Sequence, residues 1–321
     1  MNLLSKTLIV LFISFLIILP CRAQDYNVES SKYMVDGMEA LMNNDYETAF
    51  DNFSKELKDN PKNVQALVLV ACYYNNICEA YKKALSYSNK SVKIVTKNKY
   101  DNYTKSAAYV ARADSYRNLG KIDKAINDYS NAIDYCPEEV DFYMSRAACY
   151  LEQKKYDLLE NDCKKIISLD PTNISAYGHL GSISMVNYDY ETAIEYFNKV
   201  IELDGKNSSA YKCRGDCYLR LSKYVLAIDD FIRSIEIDGN MESIECLLRM
   251  NLLRPDLLDA KLKAQCAKQP DNLSWPYILG IINEYVGLYQ KAVEYYEKSY
   301  AIEQDPYILK DIERCKELLN K

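Results

Sequence analysis

Apolar residues in the middle of the chain recur at the spacing of helix faces. Tyr109 and Ala113 lie four residues apart, with another tyrosine three residues further on, so all three share one face of a predicted helix. Ala125 and Tyr129 begin the same spacing again on a second predicted helix. Asn118, Leu119 and Gly120 separate the two stretches and predict a turn. The pattern therefore predicts an antiparallel helix pair with apolar inner faces.

This pattern repeats every 34 residues, and small residues of the first helix repeat in step with mostly large residues of the second. Small residues let two helices approach closely, and large side chains fill the space beside them. A proline or glycine follows each second helix and ends it. The repeating columns are Tyr109, Tyr143, Tyr177 and Tyr211; Ala113, Ala147, Gly181 and Gly215; Tyr129, Cys163, Phe197 and Phe231; and Pro137, Pro171, Gly205 and Gly239.

At these residues the chain resembles the tetratricopeptide-repeat (TPR) family, whose unit is a 34-residue helix–turn–helix. The resemblance implies an all-α fold, a right-handed superhelical solenoid of antiparallel helix pairs with a C-terminal capping helix, over residues 24–321. The 41-residue step from Ala84 to Ala125 predicts an inserted loop near Thr96–Tyr103, and the seventh unit is shortened and degenerate. The predicted units are 30–63, 64–97, 106–139, 140–173, 174–207, 208–241, 242–272 and 273–305, followed by a capping helix at 306–320.

The first 23 residues have the pattern of a secretory signal peptide. Lys6 precedes an apolar run from Leu8 to Leu19, which is too short to span a membrane, and Ala23 provides a small residue for cleavage. We therefore expect an exported protein that is periplasmic or associated with the cell envelope. Lipidation at Cys21 and retention as an anchor are the alternatives, and a membrane association is expected only if Cys21 is lipidated.

Composition and motifs argue against catalysis and nucleic-acid binding. The chain has 40 basic and 46 acidic residues, a net charge of −6, and loss of Lys6 and Arg22 with the signal makes the charge more negative. His179 is the single histidine, and we interpret it as a packing or surface residue. No phosphate-binding glycine loop, zinc-binding H-E-x-x-H or G-x-S-x-G motif is present. We expect no catalytic residues, no cofactor, no metal and no small-molecule substrate.

Cysteines and paired carboxylates are interpreted as structural. Cys149, Cys163 and Cys217 replace small or apolar residues of the repeating columns and are predicted to be core residues. Ten cysteines follow the signal peptide; we expect them to be unpaired, with disulfides as the alternative. The adjacent carboxylates Asp229 and Asp230 diverge on a helix and are predicted to be solvated surface.

A partner-binding groove is the predicted functional site. In the TPR family the first helices of successive units line a concave groove that holds a peptide or a helix. Here the columns next to the packing face change from unit to unit while the packing columns repeat, as expected for a shared scaffold with a specialised surface. The predicted groove residues are Val110, Asp114, Arg117, Asn118, Met144, Ala148, Leu151, Glu152, Ser182, Met185, Val186, Lys212, Asp216, Leu219 and Arg220.

These observations favour a non-catalytic scaffold or adaptor of the bacterial cell envelope that binds another protein through a peptide or helix segment. Two alternatives remain open from the sequence. The chain could be an accessory or regulatory subunit of a separately encoded enzyme, or a lipoprotein that assists envelope assembly.

Overall fold

The computed structural model describes residues 31–239 and 241–320, and these residues form helices and short connections without any strand. The predicted signal peptide, with Cys21 and Ala23, lies outside the described residues. The chain divides into two compact units, here called the first body (to Pro171) and the second body (from Thr172). The prediction of an all-α repeat fold is confirmed.

The first body consists of four helix pairs in which consecutive helices pack against each other. The odd-numbered helix is the first helix of each pair. The helices are α1 (Lys32–Met42), α2 (Tyr46–Asp59), α3 (Val64–Asn76), α4 (Tyr81–Val95), α5 (Asn102–Asn118), α6 (Ile122–Tyr135), α7 (Val140–Glu152) and α8 (Tyr156–Leu169).

The second body continues the same numbering with four pairs and a final single helix, which packs on the pair before it. Ile308, Ile312 and Cys315 of this last helix are buried against the preceding pair, as a cap requires. The helices are α9 (Ile174–Val186), α10 (Tyr190–Leu203), α11 (Ser208–Arg220), α12 (Tyr224–Asp238), α13 (Met241–Leu253), α14 (Pro255–Lys268), α15 (Ser274–Tyr285), α16 (Tyr289–Ile302) and α17 (Pro306–Leu319).

Small and large residues meet inside each pair as the repeating columns predict. Gly215 of α11 faces the Phe231 ring of α12 so closely that a Cβ atom on Gly215 would lie 2.8 Å from it. Gly181 and Phe197 repeat this contact, again at 2.8 Å. Both phenylalanine side chains are buried. The absent side chain of each glycine therefore sets how closely its two helices approach.

The predicted inserted loop near Thr96–Tyr103 is present but shorter than predicted. Only residues 96–101 form a connection, and α5 already begins at Asn102 because the Asp101 side chain accepts a hydrogen bond from the Thr104 backbone N–H at 2.8 Å. As a result, α5 has 17 residues where α7 has 13. Most of the extra residues therefore lengthen a first helix rather than a loop.

The seventh pair is complete, although its sequence is degenerate. Helices α13 and α14 have 13 and 14 residues, similar to their neighbours. A single residue, Arg254, connects them, whereas residues 221–223 connect the pair before. Pro255 opens α14 at a position where its missing N–H costs no hydrogen bond. The shorter repeat is thus explained in part by a shorter turn.

Candidate functional site

All fifteen predicted groove residues lie on first helices, eight on α5 and α7 in the first body and seven on α9 and α11 in the second. We call this side of each body its first-helix surface. Among the fifteen, Leu151 and Val186 are the most exposed apolar residues, with 42% and 51% of their surface exposed. The other exposed members are polar: Asn118, Glu152, Ser182 and Arg220. Each body therefore presents an apolar residue beside polar ones.

The remaining apolar candidates are less accessible than predicted. Val110 is buried, with 4% of its surface exposed, and its assignment to the groove is wrong. The reason is that α5 packs against α3, the first helix of the preceding pair, in addition to its own partner. Met185 and Leu219 are partly buried and pack against apolar core clusters. Met144 and Ala148 are also partly buried.

A buried arginine–aspartate pair joins the two helices of three repeats. Arg146 of α7 donates two hydrogen bonds to Asp162 of α8, from Nε to Oδ2 at 2.9 Å and from Nη2 to Oδ1 at 2.7 Å. Its third donor, Nη1, reaches Ser130 Oγ of the preceding pair at 2.8 Å. The guanidinium also lies 5.7 Å from the ring centroids of Tyr143 and Tyr150. One side chain thus connects two helices of its own pair and a third helix.

The same arrangement recurs at Arg112–Asp128 and Arg214–Asp230, with shortest contacts of 2.7 Å. Asp230 is therefore not solvated surface as predicted: it is buried, whereas its neighbour Asp229 is exposed and contacts Lys261. Successive residues of a helix point in directions about 100° apart, so one carboxylate faces inward and the other outward. In the sequence, this pair is recognisable as an arginine followed sixteen residues later by an aspartate, a spacing that recurs in three repeats.

Asp114 is a partly buried carboxylate on the first-helix surface of the first body. The Tyr129 hydroxyl of α6 donates a hydrogen bond to Asp114 Oδ1 at 2.5 Å. Burial raises the pKa of Asp114 to about 6, and this effect outweighs the Tyr129 hydrogen bond and the nearby positive charge of Arg117, which both lower it. Asp114 is thus an acid whose charged form is poorly solvated.

Asp216 occupies the equivalent position of α11 and lies in a different environment. Lys212 Nζ lies 3.4 Å from Asp216 Oδ2 and 2.9 Å from Glu242 Oε2 of α13. Burial lowers the pKa of Lys212, but the hydrogen bond to Glu242 and the charge of Asp216 outweigh it, and the pKa is raised overall. The Cys246 thiol lies 3.5 Å from Asp216 Oδ1. In the second body, a lysine of the same helix therefore provides the counter-charge for this carboxylate.

The replacement Asp114→Asn is expected to stabilise the protein at neutral pH. The folded state holds the Asp114 proton more strongly than the unfolded state, so stability falls as the pH rises from the ordinary pKa of 3.8 to about 6. Asparagine removes this loss while still accepting the Tyr129 hydrogen bond. We expect a gain of about 1–2 kcal/mol near pH 7 and none near pH 4, measured by guanidinium unfolding. An equal difference at both pH values would contradict the assignment.

The thiols and the histidine have structural surroundings. Cys149, Cys163 and Cys217 are fully buried, as predicted, and all ten cysteines of the described residues are unpaired. His179 is partly buried, and burial lowers its pKa. Within the described ranges, no group of three or more His, Cys, Asp or Glu side chains is arranged to hold a metal ion. No helix in this part of the chain is long and apolar enough to cross a membrane.

Comparisons with known proteins point to one repeat family. A family model described as TPR repeat matches residues 113–154, and a second, described as tetratricopeptide repeat, matches residues 174–207. No curated protein sequence matches the chain.

Solved structures share the fold at low sequence identity. The C-terminal part of a TPR repeat-containing protein from Cytophaga hutchinsonii is 19% identical, with a TM-score of 0.58, covering 88% of this chain and 99% of that one. A tetratricopeptide repeat protein from Parabacteroides merdae is 16% identical, with a TM-score of 0.51, covering 89% and 98%. YrrB, described as a TPR protein with an unusual peptide-binding site, is 16% identical, with a TM-score of 0.52, covering 60% and 96%.

Proposed function

Because this chain is a member of the tetratricopeptide-repeat family, we propose that it is a non-catalytic scaffold that binds a segment of a partner protein on its first-helix surfaces. The repeats indicate protein partners, and the segment would be an extended peptide or an amphipathic helix. The pattern of residues 1–23 supports export, and we place the protein in the periplasm or cell envelope of a bacterium.

The observation that carries this proposal is the contrast between the two sides of the first helices α7 and α9. The residues that face the second helix are small and buried, for example Ala147 and Gly181. On the other side, Leu151 and Val186 leave about half of their surface in water. Exposed apolar residues that are surrounded by polar residues are typical of binding surfaces. YrrB, which shares the fold, is a TPR protein with a peptide-binding site, and this also supports a peptide as the ligand.

We predict that Leu151→Asp and Val186→Asp each reduce partner capture strongly without unfolding the protein. A carboxylate placed in a desolvated contact has to lose its hydration, and apolar anchors at the centre of an interface contribute about 2 kcal/mol or more each. The measurement is affinity capture from an envelope extract with each variant as bait, followed by quantification of the captured protein.

Two second-helix residues provide matched controls. Leu158 of α8 and Val225 of α12 are both 43% exposed, so Leu158→Asp and Val225→Asp introduce the same charge at similar exposure. Both should capture the partner as the unchanged chain does. Equal capture by all four variants would reject the first-helix surfaces as the binding site, and capture that falls only for the second-helix variants would move the site to the opposite side.

A further inference from the structure

We propose that Asp114, on the first-helix surface of the first body, receives the cationic side chain of a lysine or arginine from the bound segment. This inference rests on the proposed function and adds the chemistry of one contact. It therefore predicts a basic residue in a partner segment that otherwise makes apolar contacts with this surface.

Asp114 differs from the buried aspartates because its charge has no partner in direct contact. Asp128, Asp162 and Asp230 each contact an arginine at 2.7 Å. Around Asp114, no lysine or arginine nitrogen of the described residues lies within 4.0 Å, and Tyr129 supplies its hydrogen bond. A poorly hydrated carboxylate without a counter-charge in contact gains more from an arriving cation than a solvated one does.

The second body contains an internal comparison three repeats later. Asp216 is the equivalent of Asp114, and Lys212, which contacts it, is the equivalent of Val110. Phe231 is likewise the equivalent of Tyr129. Where the repeat provides a lysine, the carboxylate is neutralised within the chain. Where valine stands in place of that lysine, the described residues provide no cation in contact with the carboxylate.

The other groups around Asp114 do not take the place of this cation. Burial raises the pKa of the Cys72 thiol of α3 well above its ordinary value and that of the Cys149 thiol of α7 to about 11, so both thiols are neutral at pH 7. Arg117, one turn along α5, acts on Asp114 through its charge without contacting it. The Tyr129 hydroxyl holds Oδ1 in place, which leaves Oδ2 to accept a hydrogen bond from an incoming N–H donor.

The test uses the full chain and a phage-displayed library of random peptides as the probe. Peptides are selected on the unchanged chain, and those that no longer bind Leu151→Asp are kept as ligands of the first-helix surface. Dissociation constants are then measured for the unchanged chain and Asp114→Asn, each with the selected peptide and with the same peptide carrying norleucine for lysine or citrulline for arginine. Asp134→Asn is the control, because Asp134 is an exposed carboxylate of the second helix α6.

We expect the kept peptides to share a lysine or arginine. Asp114→Asn should weaken their binding roughly tenfold or more, neutralising the peptide should cause the same loss, and the two changes together should cause no further loss. Asp134→Asn should change nothing. Because Asp114→Asn is expected to stabilise the fold at neutral pH, a loss of binding does not reflect unfolding.

The remaining outcomes separate this inference from the proposed function. If Leu151-dependent peptides bind Asp114→Asn unchanged, or lose affinity equally with and without their cation, the Asp114 inference is wrong and the scaffold function stands. If no selected peptide depends on Leu151, the first-helix surface is not a peptide site, and both proposals fail.

Discussion

Replacing Arg146 with methionine is expected to lower the free energy of unfolding by about 3–5 kcal/mol. The change leaves the Asp162 carboxylate, which is 3% exposed, buried without its two charge-assisted hydrogen bonds. It also removes the hydrogen bond to Ser130 and the contacts with the rings of Tyr143 and Tyr150. The measurement is chemical denaturation followed by circular dichroism at neutral pH.

Two further variants distinguish a buried charge from a general loss of contacts. Arg146→Met combined with Asp162→Leu removes both charges, so we expect it to recover most of the stability. Arg254 and Asp256 form an exposed pair at 2.8 Å, and Arg254→Met should cost less than about 1 kcal/mol. If Arg146→Met were no more destabilising than Arg254→Met, the repeated arginine–aspartate pairs would not stabilise the fold.

The sequence was sufficient to predict the helix pairs because their pattern is local and repeated. Contacts such as Gly181 with Phe197 join residues sixteen apart, and recurrence at a period of 34 distinguishes this spacing from chance. The repeat places the start of the third unit at residue 106, whereas α5 begins at Asn102. One side chain decides this difference, because Asp101 caps the helix a turn earlier than the repeat predicts.

The candidate site was less predictable because exposure depends on neighbouring pairs. A helix face identifies which residues point away from the partner helix, and this was enough for Leu151 and Val186. Val110 occupies another position of the repeat, equivalent to Met144 and Lys212, and it is buried in a helix that also packs against α3; nothing in a single repeat reveals that packing. The burial of Asp230 could have been predicted, since its arginine partner recurs at a fixed spacing in three repeats.

Replacing Phe231 with alanine is the second change with a large expected effect, a loss of about 3–5 kcal/mol. The Phe231 side chain is completely buried, and it faces the bare backbone of Gly215. Removing the ring leaves a cavity that Gly215 has no side chain to fill. Tyr188→Ala is the control, because Tyr188 is 78% exposed and its truncation should cost little. Thermal and chemical denaturation of both variants provide the comparison.

The contact between Gly215 and Phe231 also predicts how Gly215→Ala affects stability. The sign of that effect should depend on whether residue 231 is phenylalanine or alanine. In the unchanged chain the new Cβ would lie 2.8 Å from the Phe231 ring, and this overlap should cost about 1–3 kcal/mol. In the Phe231→Ala background the ring is absent, so alanine enters the cavity and also favours the helix by about 1 kcal/mol over glycine. Gly215→Ala should therefore destabilise the first protein and stabilise the second. Destabilisation in both backgrounds would mean that a contact other than the Phe231 ring requires glycine at this position, such as the Ala227 backbone oxygen, which would lie 3.3 Å from the added Cβ.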